Sequence, residues 1–258
     1  MAANNNSMHK GIQSAYDQFY QNHNEQWRLL GARYKAQNIA ELCRDHQFQK
    51  VLEVGAGDGS ILQYLDEMDF APELDALEIA PSGVELIRSK NLKHLRSVQT
   101  FDGYQIPFAD GEFDLVILSH VLEHVEFERM LLRELKRVSK FQIIEVPRDY
   151  RYGVDQRIKH FLAYGHINMY TPTSLRFLLQ SEGFEIIRDK LSLIRPELSK
   201  FNIFVNQKKR KNYLISLKID LEYHFKKILG SVFGKKSRER LANAYTVLTR
   251  KTEDLHIF

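Results

Sequence analysis

The chain has 258 residues, 43% hydrophobic and 27% charged, which suits one sizeable α/β domain and excludes a disordered polymer. No run of about 18 apolar residues occurs, so no membrane-spanning helix is expected, and the single Cys43 closes no internal disulfide. The net charge of +4 is uneven: residues 208–240 hold eleven Lys and Arg against Asp220, Glu222 and Glu239, a local +8 that leaves −4 elsewhere.

Met1–Ser7 is polar and expected to fray, with no secretion leader ahead of the fold; a cytoplasmic protein is the expectation. An N-terminal helical segment fills 1–45: from His9 to Arg44, Ile12, Ala15, Tyr16, Phe19 and Tyr20 recur at helical spacing. A core over 46–193 alternates strands and helices. Strands are expected at 51–54, 74–79, 97–101, 113–119 and 142–146, with helices over 60–67, 81–89 and 121–138. FDLVILS (113–119) is apolar on both faces, as a central parallel strand should be. Residues 150–170 read as a loop or lid, followed by a helix at 173–181 and a strand at 184–193. A basic helical insertion covers 194–243, and 244–258 is the last strand and tail. The fold class is therefore α/β: a doubly wound, mostly parallel seven-stranded sheet with a helical cap or insertion before its last strand.

Val51–Gly59 (VLEVGAGDG) is a buried strand running into a glycine-rich turn, the place where an open parallel sheet binds a nucleotide. Glycines at 55, 57 and 59 give G-x-G-x-G, with Ser60 where a dinucleotide fingerprint needs a third glycine or alanine. Glu53 and Asp58 place negative charge beside the turn. That disfavours a pyrophosphate and favours a ligand carrying an amino group and a sulfonium. Glu78, about 20 residues past the turn, stands where a carboxylate accepts ribose hydroxyls. Asp102 is expected at the end of the third strand, placed for an adenine amino group.

VLEVGAGDG (51–59), LEIAPSG (77–83), FDGYQIPFADGEFDLVILSHVLEHV (101–125) and GHINMYTPTSLRFLLQSEGF (165–184) together resemble the class I S-adenosylmethionine-dependent methyltransferases. The likeness covers about residues 45–190 and the last strand. It implies a Rossmann-like fold and S-adenosyl-L-methionine as cofactor, with Glu53, Gly55, Ala56, Gly57, Gly59, Glu78, Ile79, Asp102, Gly103 and Ser119 lining its pocket. Tyr16 and Tyr20 would cover it. The usual Pro-Gly-Gly turn before the fifth strand is replaced by Val138-Ser-Lys-Phe141, which with Glu145-Val-Pro147 and Gly165-His166 is similar to methyltransferases of bacterial surface-polysaccharide pathways.

That likeness implies a small-molecule acceptor, a hydroxyl of a sugar or glycan precursor; without a metal, His166 or His120 is the candidate general base, since an imidazole titrates near working pH. His120, Glu123 and His124 lie at i, i+3 and i+4, and with His166 they resemble the divalent-metal ligands of small-RNA and ubiquinone-pathway O-methyltransferases. The first glutamate of that motif is His120 here, and L-E-H-V also occurs in the superfamily without metal. The alternatives are thus a metal-dependent RNA or quinone O-methyltransferase, or a non-catalytic scaffold, which would show an eroded glycine turn. Asp149, Arg157 and His160 are candidate lid contacts.

In the insertion, apolar residues at 214, 217, 221, 225, 228 and 232 form one helical face among lysines. Either this stripe packs over the cleft as a cap, or it rests on an anionic membrane through 208–240. Tyr213, Tyr223, Phe225 and Phe233 form no stacking platform, so nucleic acid is not the expected partner.

Overall fold

The computed structural model describes residues 10–22, 25–150, 153–157, 161 and 165–252. The expectations for Met1–Ser7, His160 and the tail beyond Thr252 lie outside the described residues, as do the side chains of Ile12 and Phe19. In chain order the elements are α1 (Lys10–Asn22), α2 (Glu25–Leu42), β1 (Lys50–Val54), α3 (Ser60–Glu67), β2 (Glu73–Glu78), α4 (Pro81–Ser89), β3 (Leu95–Thr100) and β4 (Phe113–Ser119). A 3₁₀ turn (Leu122–His124), α5 (Glu128–Val138), β5 (Ser139–Pro147), a second 3₁₀ turn (Val154–Arg157), α6 (Pro172–Ser181) and β6 (Phe184–Ser192) follow. The chain ends with α7 (Pro196–Phe201), a π-helical turn (Asn202–Asn206), α8 (Tyr213–Val232), α9 (Gly234–Leu241) and β7 (Ala244–Lys251).

The seven strands form one sheet in the order β3-β2-β1-β4-β5-β7-β6, parallel except for β7, which runs antiparallel to both neighbours. The expected doubly wound fold with an insertion before the last strand is present. Alternate residues feed two apolar layers. Leu52, Val54, Val116 and Leu118 face α5 and α6, whereas Val51, Leu115 and Ile117 face α2, α3 and α4. Leu115 to Leu118 are fully buried because β4 lies between β1 and β5 with helices on both sides. Local chemistry sets the helix starts. Pro81 opens α4. At α6, the Thr171 hydroxyl accepts from the Ser174 N–H (3.0 Å) and Ser174 Oγ accepts from the Thr171 N–H (2.9 Å).

Three segments depart from expectation. The helix expected over 121–138 starts only at Glu128, because the carbonyls of Leu122, Glu123 and Val125 are bound to residues 167 and 168 and are not free to accept helical bonds. The turn expected at 138–141 does not form: α5 runs straight into β5, with Ser139 Oγ donating to the Leu135 carbonyl at 2.8 Å. The apolar stripe of α8 does not pack over the cleft. Its opposite face, through Ile219, Tyr223 and Gly230, carries the packing against α7 and α9.

β7 is registered by a polar cluster in the dry interior. Gln142 Nε2 donates to Ser139 O (3.2 Å) and Oγ (3.1 Å), and Thr249 Oγ1 donates to Gln142 Oε1 (3.0 Å), all three residues being fully buried. Gln142→Leu is expected to cost about 1–3 kcal/mol, since it strips partners from buried polar groups. The check is a lower urea midpoint with an unchanged slope.

Candidate functional site

β1 delivers the turn at the carboxyl edge of the sheet. Gly55, Gly57 and Gly59 have φ of 71°, 62° and 74°, conformations that suit glycine. The three glycines do different work. A Cβ on Gly55 would lie 2.5 Å from Val121 Cγ2, and one on Gly59 would lie 2.9 Å from Ile87 Cγ1. Gly59 therefore lets α4 pack and does not face the cavity, whereas Gly57 faces the Tyr20 hydroxyl, 3.3 Å from where its Cβ would be. The N–H groups of Gly55 and Ala56 both donate to Leu77 O, at 2.8 and 3.0 Å. Glu78 closes the turn: its carboxylate accepts from the Gly57 N–H (2.8 Å) and the Ala80 N–H (3.1 Å).

The two acids expected to charge the turn are handled differently. Asp58 accepts from Ser60 N and Oγ and from Arg28 Nε at 2.6 Å, so its charge is compensated. Glu53 is buried with Oε2 lacking a hydrogen-bond partner, and burial pushes its pKa well up. Neither lines the cavity. Asp102 does not end β3, which stops at Thr100; its Oδ1 caps the next turn by accepting from Tyr104 N and Gln105 N, and the residue is exposed. Its neighbours Phe101 and Gly103 line the cavity instead. Phe101 went unnoticed in the sequence because an aromatic at a strand end carries no distinctive spacing. Ser119 Oγ points to Glu145 Oε2 at 3.2 Å, away from the cavity lining.

A cavity of about 60 Å³ lies over this edge, lined by Gly55, Glu78, Ile79 and Gly103 on one side and by His120, Val121, His124 and Val125 on the other. Its roof is α1, through Tyr16 and Tyr20. That volume holds about two waters. Gln13 Nε2 donates to Ile79 O at 2.7 Å, and Asp17 accepts from Ser82 N and Oγ, so polar bonds at two places hold the roof down. A second, open groove of about 440 Å³ lies between Glu25, Gln63 and Lys90. It sits near the carboxyl ends of α3 and α4, hence at the opposite end of the strands.

Beyond β4 the chain turns through His120, whose φ is 59°. Its ring lies between two buried carboxylates: Nδ1 is 3.2 Å from Glu123 Oε1, and Nε2 is 3.4 Å from Glu145 Oε1. Burial and the charge of Lys35 oppose an imidazolium there, but the two carboxylates prevail and the His120 pKa lies above its ordinary value. Burial likewise opposes charge on Glu123 and Glu145, yet His120 holds both below the usual carboxylate range.

The segment after Gly165 is stitched onto this turn. Ile167 N and Asn168 N donate to Glu123 O (2.8 and 3.1 Å), and Asn168 Nδ2 donates to Leu122 O (3.1 Å) and Val125 O (2.7 Å). His166 thereby meets His124, ring centroids 4.8 Å apart. His124 Nδ1 lies 3.0 Å from Gly165 O, and His166 Nδ1 lies 2.5 Å from Asp149 Oδ2. A carbonyl and a carboxylate oxygen only accept, so Nδ1 is the donor in each contact. Among the described residues, ligand atoms of Glu123, His124 and His166 lie within 4.8 Å of one another. His120 is not in that group, a correction to the four-residue set expected. Arg157 is exposed and lies outside the cavity lining.

Residues 21–189 match the methyltransferase domain family. YrhH of Bacillus subtilis, named for methyltransferase activity, is 27% identical over 119 residues, 43% of this chain and 66% of the relative. The chloroplastic tocopherol O-methyltransferase of Arabidopsis thaliana is 28% identical over 118 residues, 44% of this chain and 34% of the relative. The chain thus spans less than two thirds of these relatives' own lengths. In fold it is similar to a solved S-adenosylmethionine-dependent methyltransferase of Thermotoga maritima, with a TM-score of 0.61 at 14% identity, covering 93% of this chain and 100% of that one.

Burial raises the Glu78 pKa to about 7, against the pull of the Ala80 and Gly57 N–H donors. In the unfolded chain this carboxyl ionises lower, so between the two values unfolding releases a proton and stability falls as pH rises. Shifting from about pH 7.5 to about pH 5 should therefore stabilise the wild type more than Glu78→Gln, read by urea titration of both. Equal changes would remove Glu78 as the source.

Proposed function

We propose that this chain, which belongs to the methyltransferase domain family, transfers a methyl group from S-adenosylmethionine to a hydroxyl of a small-molecule acceptor, a sugar or glycan precursor. The observation that carries the reading is one cavity in which the glycine turn and Glu78 face His120 and His124 across the carboxyl edge of the sheet. The cofactor supplies a methyl already activated by its sulfonium. The residues present fit it: Gly55 and Gly103 line the cavity with no side chain of their own, and each Glu78 oxygen uses one N–H, which leaves lone pairs for ribose hydroxyls.

Positioning contributes most of the rate in such a displacement, of order 7–11 kcal/mol. The chain's part is to bind, orient and take one proton from the acceptor hydroxyl. Asp149 fixes the His166 ring through Nδ1, so Nε2 is the proton acceptor. His120, held between Glu123 and Glu145, orients that wall. A cavity of about 60 Å³ is too small for a nucleoside, so entry requires the roof formed by Tyr16 and Tyr20 to move. The hydroxyl acceptor rests on this imidazole–carboxylate cluster, and its sugar character rests on the surface-polysaccharide likeness of the sequence.

Calorimetry is expected to show micromolar binding of S-adenosylhomocysteine and none of NAD. Glu78→Ala should weaken that binding about ten- to hundredfold, the loss of charge-assisted hydrogen bonds. Binding of NAD alone would overturn the reading.

A second reading is favoured by the convergence of ligand atoms from Glu123, His124 and His166. Here these three residues hold a divalent cation that orients acceptor oxygens, as for an RNA or quinone O-methyltransferase. Their N/O donor set suits Zn²⁺, Mn²⁺ or Fe²⁺, with Asp149 and Gly165 O bracing the two rings from behind. Metal analysis of untagged protein separates the readings. Stoichiometric metal, lost in His166→Ala and bound about 10–100-fold more weakly in Asp149→Asn, supports the cation. No metal, with kcat in His166→Ala down about 10²–10⁴-fold and S-adenosylhomocysteine affinity unchanged, supports the base.

A further inference from the structure

The insertion between β6 and β7 leaves an apolar surface uncovered. Leu214, Leu217, Leu221, Phe225, Ile228 and Val232 are all exposed, between 39% and 71%. They recur every three or four residues, so at about 100° per residue they share one narrow face of α8, about 27 Å long. Phe233 extends it. The helix is held from the other side. Tyr223 Oη accepts from Arg195 Nη1 (2.7 Å), Asp220 pairs with Lys200 (2.7 Å), and Gly230 is buried where Arg238 crosses. The exposed stripe is therefore a face the fold leaves bare, and a continuous bare face of this size marks an interaction surface.

Its surroundings name the occupant. Lys208–Lys211 lead into α8, Lys218 and Lys227 lie along it, and Lys235 and Lys236 follow it, all exposed. The acids nearby are already engaged: Glu222 by Lys226 (2.5 Å), Asp220 by Lys200 and Glu239 by Arg176 (2.7 Å). An apolar strip edged by an excess of cations complements a surface with an apolar interior and an anionic skin. A second copy of the chain fits poorly, since pairing two such strips would bring like charges together.

We infer that α8 lies in the plane of an anionic lipid bilayer, its Leu214–Val232 stripe at the acyl boundary and its lysines among the headgroups. No helix among the described residues is long and apolar enough to cross a membrane, so the contact is peripheral. The insertion is rooted at the carboxyl end of the sheet. Ala244 pairs with Pro147 and with Ser192, and Asn243 N donates to Ser192 O at 2.7 Å. Docking through α8 thus tethers the rim of the candidate site to the lipid surface. This inference stands apart from the catalytic reading, because vesicle binding needs no cofactor.

The test is co-sedimentation of the full chain with vesicles of phosphatidylcholine alone or with about one third phosphatidylglycerol, conditions in which polybasic attraction is read directly. The chain should pellet with the anionic vesicles only, and less at about 0.5 M salt. A Leu221→Asp/Phe225→Asp variant should lose at least about tenfold in partitioning, because burying either side chain is worth a factor of that order. Its thermal melt should match the wild type, since both side chains are exposed. Recovery in the supernatant with both vesicles overturns the inference. So does binding that survives the double substitution, which is what a merely polycationic segment would give. Light scattering that shows a dimer dissolved by the same variant would assign the stripe to a second copy and overturn it as well.

Discussion

The site depends on how the backbone is satisfied where β4 ends. A strand leaving the sheet sheds its ladder partners, and the carbonyls of Leu122, Glu123 and Val125 must find donors without water. They find them in Ile167 and Asn168, some forty residues on. That choice forbids an α-helix immediately after β4 and holds Glu123 against His120. It also carries His166 to His124. His120 turns back in a left-handed conformation, and its ring meets two buried carboxylates that would otherwise be uncompensated. One set of backbone bonds thereby assembles every titratable group on that wall.

Much of the fold was legible because parallel strands buried on both faces write themselves as apolar runs. FDLVILS, the PSG start of α4 and the glycine turn all fall where the sequence placed them. The helix over 121–138 was misread for a physical reason. Its apolar spacing is genuine, but the competing donors come from Asn168, and no local pattern reports a bond across that distance. Asp102 lies two residues past the end of β3: a strand-end acid and an acid capping its own turn look alike in sequence, and the N–H groups of Tyr104 and Gln105 draw its Oδ1 into the turn. The metal-ligand set lost His120 because spacing along a supposed helix stood in for a direction that the left-handed turn reverses.

The glycine turn illustrates how one motif serves several ends. Gly57 admits the Tyr20 hydroxyl, Gly59 admits Ile87, and Gly55 lines the cavity beside Val121, a residue of the opposite wall. Substituting any of them would disturb a different contact, although the three read as a single signature. Asp58 is part of the scaffold as well. Its pairing with Arg28 ties the turn to α2, which leaves Glu78 as the acid that faces the cavity.

α1 and α8 are both amphipathic additions to the same sheet, and they differ in what they cover. α1 puts its aromatic face into the cleft over Glu78, and the low polarity it creates there is what lifts that carboxyl toward neutrality. A ligand that displaced the tyrosines and brought its own hydroxyl donors would favour the ionised form again, so cofactor entry and deprotonation of Glu78 are coupled in sign. α8 carries one apolar stripe, and the fold leaves it bare. Sequence periodicity shows that the stripe exists but not which side of the helix is spent on packing. That was decided by Gly230, whose missing side chain lets Arg238 and α9 approach, and by Tyr223 and Asp220, which fasten the same side to the root of the insertion.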